Sequence, residues 1–132
     1  MKAIELMIGD KVMVKVLSQI PNAYVLHTWT ANDYYRDIQV KPIPLTPEIL
    51  EKNGFERGVI TPSKFYRNID NEQLMFCSYG SCYGLGYVHW NESNDADIMH
   101  RLEVQQPIMY IHQMQHALRL FGLDQLADNF KV

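Results

Sequence analysis

Two imidazoles stand four residues apart in His112-Gln113-Met114-Gln115-His116, so on a helix they share a face. That is the ligand spacing of zinc peptidases, which also need a Glu beside the first His to take a proton from the attacking water. Gln113 occupies that position and offers no basic carboxylate. A third ligand would have to come from His89 or His100. A metal-dependent hydrolase using His112 and His116 is therefore kept as a second alternative, and the expectation is no metal and no cofactor. Ser81 with His89 and Asp95 or Asp97 has the residue types of a hydrolytic triad. Gly80-Ser81-Cys82-Tyr83-Gly84, however, puts glycine directly before the serine, where a nucleophile elbow needs G-x-S-x-G.

The remaining chemistry-bearing patterns are also incomplete. Cys82 with His89 or His100 has the types of a thiol–imidazole pair, since a cysteine nucleophile needs its base in space rather than in sequence. Small thiols on a hairpin far more often serve as packing residues. Gly80, Gly84 and Gly86 open no helix and lack the Lys-Ser/Thr of a phosphate loop. Residues 91–97 are acidic but lack the spacing and distal Glu of a calcium loop. No catalytic residue is assigned, and the expected function is a non-enzymatic binding or accessory protein.

Aromatic residues punctuate the N-terminal region at Tyr24, Trp29, Tyr34 and Tyr35. Such rings fill the core of a small domain, or present themselves to peptides and single strands. Single-stranded nucleic-acid binding through Trp29, Tyr34, Tyr35, Lys11, Lys15 and Arg36 is the first alternative. The interaction candidates are Trp29, Tyr34, Tyr35, His112, His116 and Arg119. The partner expected is an unidentified protein, with a second copy of the chain as a further option.

These residues need elements to hold them. Over 6–16, two strand pieces joined at Gly9-Asp10 are predicted, with Val12, Val14 and Val16 on one face. Residues 24–30 form a second β-prone run and 34–40 a third, separated by an Asn32-Asp33 turn. Pro42 and Pro44 end this region. Thr46-Pro47-Glu48 then starts a short helix: Thr46 caps it, Pro47 needs no N–H, and Glu48 meets the positive end of the dipole. Asn53-Gly54 stops it, and Phe55 folds back towards Ile49 or Leu50.

Residues 73–79 and 82–90 flank Gly80-Ser81, a Gly-first pair suited to a type II′ hairpin. In that register Tyr79 faces Cys82 and Cys77 faces Gly84. The two cysteines are then diagonal neighbours with β-carbons roughly 6–8 Å apart, too far for a disulfide. Residues 98–104 read as another strand. From 108 to 121 an amphipathic helix gathers Tyr110, Ile111, Met114, Ala117, Leu118 and Phe121 on one arc. His112, Gln115, His116 and Arg119 lie opposite, on the predicted wet face. Leu120 is the apolar exception, and Gly122 is the predicted stop. A short helical turn follows within 123–130. Met114→Asp should therefore destabilise strongly, and His116→Ala should cost within about 0.5 kcal/mol, as ordinary surface changes do.

With 132 residues, 47% apolar and 20% charged, the chain has the balance of an ordinary globular protein. That composition excludes collagen, a coiled-coil rod, a disordered tail and a disulfide-dense toxin. The formal charge is −3, with +1 in the first 66 residues and −4 in the last 66. Phosphate-driven nucleic-acid binding needs clustered Lys and Arg, and no cluster stands out in sequence. No signal core and no apolar run of about 20 residues is present, so no membrane association and a cytoplasmic location are expected. The fold class predicted is α+β and mostly antiparallel. It consists of an SH3-like β region (1–43), a capped helix (46–53), a β meander (58–106) and a C-terminal helix (108–121) packed on the sheet, in one domain.

Three segments carry a resemblance. Residues 42–55, PIPLTPEILEKNGF, resemble the "PIPLT-E-L-GF" stretch of small uncharacterised proteins of Bacteroidetes genomes and their prophages. Residues 110–118, YIHQMQHAL, resemble the family's C-terminal "YVHQLQ" helix, and Ile8-Gly9-Asp10-Lys11-Val12 is similar to its "IGDxV" start. The resemblance implies an intracellular, bacterial or phage-associated accessory protein in which these segments form a structural frame. It brings no activity, cofactor or catalytic residue with it.

Overall fold

In the computed structural model, residues 5–16, 23–58, 64–69, 72–79, 82–89, 100–103 and 108–132 are described. The chain is α+β, every strand pair among the described residues is antiparallel, and it divides into two compact units. The first is assembled from both ends of the chain, residues 1–45 and 110–130, and the second from residues 46–109.

The first unit holds strands β1 (Lys11–Val16), β2 (Val25–Thr28) and β3 (Ile38–Lys41) in the order β2-β1-β3. β1 pairs Val12 with His27, and Val14 with both Val25 and Val40. Alternation therefore sends Val12 and Val14 inward, where they cluster with Leu6 and Trp29 and pack against Ile38 and Val40. Burying each such side chain fully contributes about 1.5–3 kcal/mol. The described strands form an open sheet and not a closed barrel.

Helix α2 (Ile111–Leu120) and the short α3 (Asp124–Asp128) complete this unit, with α2 packed on β1. Ile111, Met114, Ala117 and Leu118 are buried, as the apolar arc predicts, and Leu120 is exposed. The helix begins three residues later than expected, because Pro44 and Tyr110 form an isolated β-bridge and Ile111 N–H donates to the Ile43 carbonyl. The Gln113 side-chain oxygen accepts the Tyr110 N–H and caps the helix start. Gly122, with φ +78°, ends the helix as predicted.

Three expectations for this unit are corrected. Residues 6–8 form no strand: Asp10 N–H donates to the Met7 carbonyl and the Asp10 carboxylate takes the Met7 N–H, which closes a tight turn instead. Tyr34 and Tyr35 sit on a 3-10 helix over Ala31–Tyr35, so β3 starts only at Ile38. There the Asp33 carboxylate caps the backbone N–H of Thr30, which outweighs the β preference of the aromatics. The third concerns the polar side of α2: His112 and Gln115 are buried, not wet.

The second unit starts with α1 (Pro47–Lys52), whose N-cap Thr46 accepts the Ile49 N–H as expected. Phe55 N–H returns to the Leu50 carbonyl, and the Phe55 ring meets Phe76 edge-on at 5.7 Å. A sequential meander follows: β4 (Glu56–Arg57), β5 (Lys64–Ile69), β6 (Glu72–Tyr79), β7 (Cys82–His89) and β8 (His100–Glu103). The β6–β7 register pairs Tyr79 with Cys82 and Cys77 with Gly84, the pairing read from Gly80-Ser81. Among the described residues of this unit, Leu50, Phe55, Phe65, Leu74, Phe76, Leu85 and Ile108 are buried and apolar.

Candidate functional site

The polar side of α2 converges on one carboxylate. Asp10, fully buried, accepts from His116 Nε2 at 2.6 Å, Arg119 Nη1 at 2.7 Å and the Met7 N–H at 2.8 Å. Burial works to raise the Asp10 carboxyl, but these three donors outweigh it and hold it below the usual carboxylate value. Arg119 extends to Asp128 of α3 at 3.4 Å. Gln115 accepts the Lys11 N–H at 2.8 Å and donates to the carbonyls of Gly9 at 3.0 Å and Ala127 at 2.9 Å. One buried amide thus ties the start of β1, the preceding turn and α3 to α2. Gly9 has φ +96°, and a β-carbon there would stand 2.9 Å from Arg119 Nη2. Only glycine accommodates both the backbone conformation and the approach of the guanidinium.

His112 lies one turn before His116. Its ring stacks on Tyr110 at 5.9 Å and meets the His116 ring edge-on at 5.7 Å. Its Nδ1 is buried with no hydrogen-bond partner among the described residues. Burial pushes His112 below the ordinary histidine value; the Asp10 charge opposes that shift without reversing it. His112 is thus a neutral packing group, and His116 is the ligand of a carboxylate. Among the described residues, no group of three His, Cys, Asp or Glu side chains is placed to hold a metal ion.

A second buried carboxylate repeats the arrangement. Asp33 Oδ2 accepts from His27 Nε2 at 2.6 Å, the Thr30 N–H at 2.7 Å and the Thr30 hydroxyl at 2.9 Å, while Oδ1 takes Arg36 Nη1 at 2.9 Å. Burial again opposes ionisation, and the donors again win, depressing the carboxyl well below its usual range.

Of the interaction candidates, Trp29 is fully buried, so it is a core residue and not a contact ring. Tyr34 packs edge-on against it at 5.4 Å and donates its hydroxyl to the Leu6 carbonyl. Tyr35 is 90% exposed. Arg36 and Arg119 are bound to Asp33 and Asp10. Ser81, Asp95 and Asp97 lie outside the described residues, as do the side chains of Cys77, Cys82, His89 and His100.

The sequence reading passed over Asp10, Asp33, Gln115 as a buried linker, and Lys41. For Asp33 a signal existed: Thr30-Ala31-Asn32-Asp33 fits the S/T-x-x-D/E pattern of a capping box. For Asp10 none existed, because its side-chain partners His116 and Arg119 lie more than 100 residues away.

Tyr24, Val25 and Leu26 are exposed at the edge strand β2. Lys15 Nζ and Lys41 Nζ stand 5.3 Å and 5.8 Å from the centre of the Tyr24 ring. Among the described residues, no helix is long and apolar enough to cross a membrane. No known family model, curated protein or solved structure matches this chain.

Proposed function

We propose that this is a non-enzymatic binding or accessory protein whose contact surface is the N-terminal sheet. The observation that carries the reading is the exposure of Val25 and Leu26 on the edge strand β2 and of Tyr24 just before it. An edge strand that leaves apolar side chains exposed on both of its faces is a place where another molecule docks. The groups best suited to chemistry support the same reading. His116 and Arg119 hold a structural carboxylate, and His112 is packed and neutral. In this reading the N-terminal β region works as SH3-like modules do, presenting rings and cations beside a small sheet. The resemblance of residues 8–12, 42–55 and 110–118 to small Bacteroidetes and prophage proteins supports reading it as a cytoplasmic bacterial or phage-associated accessory protein.

The test compares the wild-type chain with Val25→Glu/Leu26→Glu, both immobilised and offered the same bacterial extract. A protein or nucleic-acid component retained by the wild type and lost from the variant supports the reading. Ester or phosphodiester hydrolysis that disappears in a folded His116→Ala variant would replace it with catalysis.

A further inference from the structure

Strand alternation gives the N-terminal sheet a second, outward face. β1 contributes Lys11, Met13 and Lys15; β2 contributes Leu26 and Thr28; β3 contributes Gln39 and Lys41. The register brings them together: Lys11 opposes Thr28, Met13 opposes both Leu26 and Lys41, and Lys15 opposes Gln39. Tyr24, two residues before Leu26, joins this face, with the Lys15 and Lys41 ammoniums beside its ring. Leu26 is 53% exposed. The strand positions of this face carry three lysines and no carboxylate; Asp37 precedes β3. The two buried acids of the unit, Asp10 and Asp33, are neutralised elsewhere by their own arginines. A chain of net charge −3 therefore presents a local cationic face with an apolar centre.

We infer that this outer face binds single-stranded nucleic acid, with Lys11, Lys15 and Lys41 taking phosphates and Tyr24, Leu26 and Met13 supporting bases. The inference rests on the binding reading above and names its ligand. Charge complementarity calls for an anionic chain. Two features favour a nucleic acid over an acidic peptide. The ammoniums stand on the flat of the sheet, whereas a peptide added to β2 would bond along the strand edge. A nucleotide also brings a flat apolar ring together with each charge, matching the mix of Tyr24, Leu26 and lysines, whereas a glutamate brings charge alone.

The experiment is fluorescence anisotropy of the full chain with a labelled oligothymidylate of about 12 nucleotides, within the range one small β domain covers. A Glu-rich peptide of similar length serves as the competing ligand. Three phosphate contacts predict a slope of about −2 for log affinity against log salt, at roughly −0.7 per contact on a single strand. Lys15→Glu/Lys41→Glu should weaken binding at least tenfold and bring the slope to about −0.7 or less, with melting unchanged. Lys131→Glu makes a charge change of the same size as Lys41→Glu at a position outside the three strands of this sheet, and should leave affinity within twofold. Absence of binding at low salt overturns the inference, as does equal weakening by Lys131→Glu and Lys41→Glu. Tighter binding of the Glu-rich peptide, lost in the same double variant, would reassign the face to an acidic protein segment. If the oligonucleotide fails while Val25→Glu/Leu26→Glu still releases a retained component, the nucleic-acid inference falls and the binding reading stands.

Discussion

Asp10 and Asp33 present the same chemistry built in two different ways. Each is a buried carboxylate held by a histidine at 2.6 Å, an arginine and a backbone N–H. Every partner of Asp33 lies between His27 and Arg36, so that network forms wherever one short segment takes its 3-10 turn. Asp10 needs α2, from the other end of the chain, and therefore exists only when the unit is assembled. Their exposure differs in the same direction. The Arg119 side chain is 14% exposed and that of Arg36 is 41% exposed. Solvent can take over from the lost partner more readily at Asp33 than at Asp10. One network shapes a turn, and the other locks a tertiary arrangement.

That contrast predicts an order of effects. Asp10→Ala strands a largely buried guanidinium and should cost about 3–5 kcal/mol of unfolding free energy in urea titrations. Asp33→Ala should cost less, about 1.5–3 kcal/mol, the range for hydrogen bonds to a charged group with partners that regain water. Equal losses would abolish the distinction between lock and turn. His116→Ala should cost about 1.5–3 kcal/mol, several times the surface value that the helical wheel alone suggests. A double-mutant cycle with Asp10→Asn assigns that loss to the pair, and additivity would dissolve it. Gly9→Ala should cost about 1–3 kcal/mol through backbone strain, and more if Arg119 cannot move aside.

Acid should act on His112 and on the two carboxylates at different stages. His112 has its folded value depressed below the ordinary 6.5. Between those two values the unfolded chain binds a proton that the folded chain refuses. Stability is therefore complete above about pH 6.5 and declines as pH falls below it. His112→Phe should remove that decline in chemical denaturation at pH 7 and pH 5. Both aspartates are depressed below 3.8, so their contribution is present above that value and is lost as pH falls through their folded values. A wild-type curve that is flat between pH 7 and pH 5 would contradict the buried, neutral His112.

Much of the second unit could be read from local chemistry. Thr46-Pro47 and Asn53-Gly54 bracket α1, and the β6–β7 register is the one expected from the Gly80-Ser81 pair in the sequence. Caps and two-residue turns act over a few residues, so sequence spacing carries them. The apolar arc of α2 was equally plain. Its polar side was misread because a helical wheel says which residues share a face, not what covers it. α3 and the turn at Gly9 cover Gln115. Tyr34 and Tyr35 were misplaced for a different reason: strand propensity is weak, and one capping aspartate outweighed it.

By itself the sequence determined the α+β alternation, the helix ends, the hairpin register and the incompleteness of every catalytic motif, because each depends on neighbours within about one turn or one strand. Only the tertiary structure decided that His116 and Arg119 would serve Asp10, that Trp29 would be core, and that three separated lysines would share a face. Those outcomes depend on which distant surfaces exclude water from one another, and spacing along the chain does not encode that.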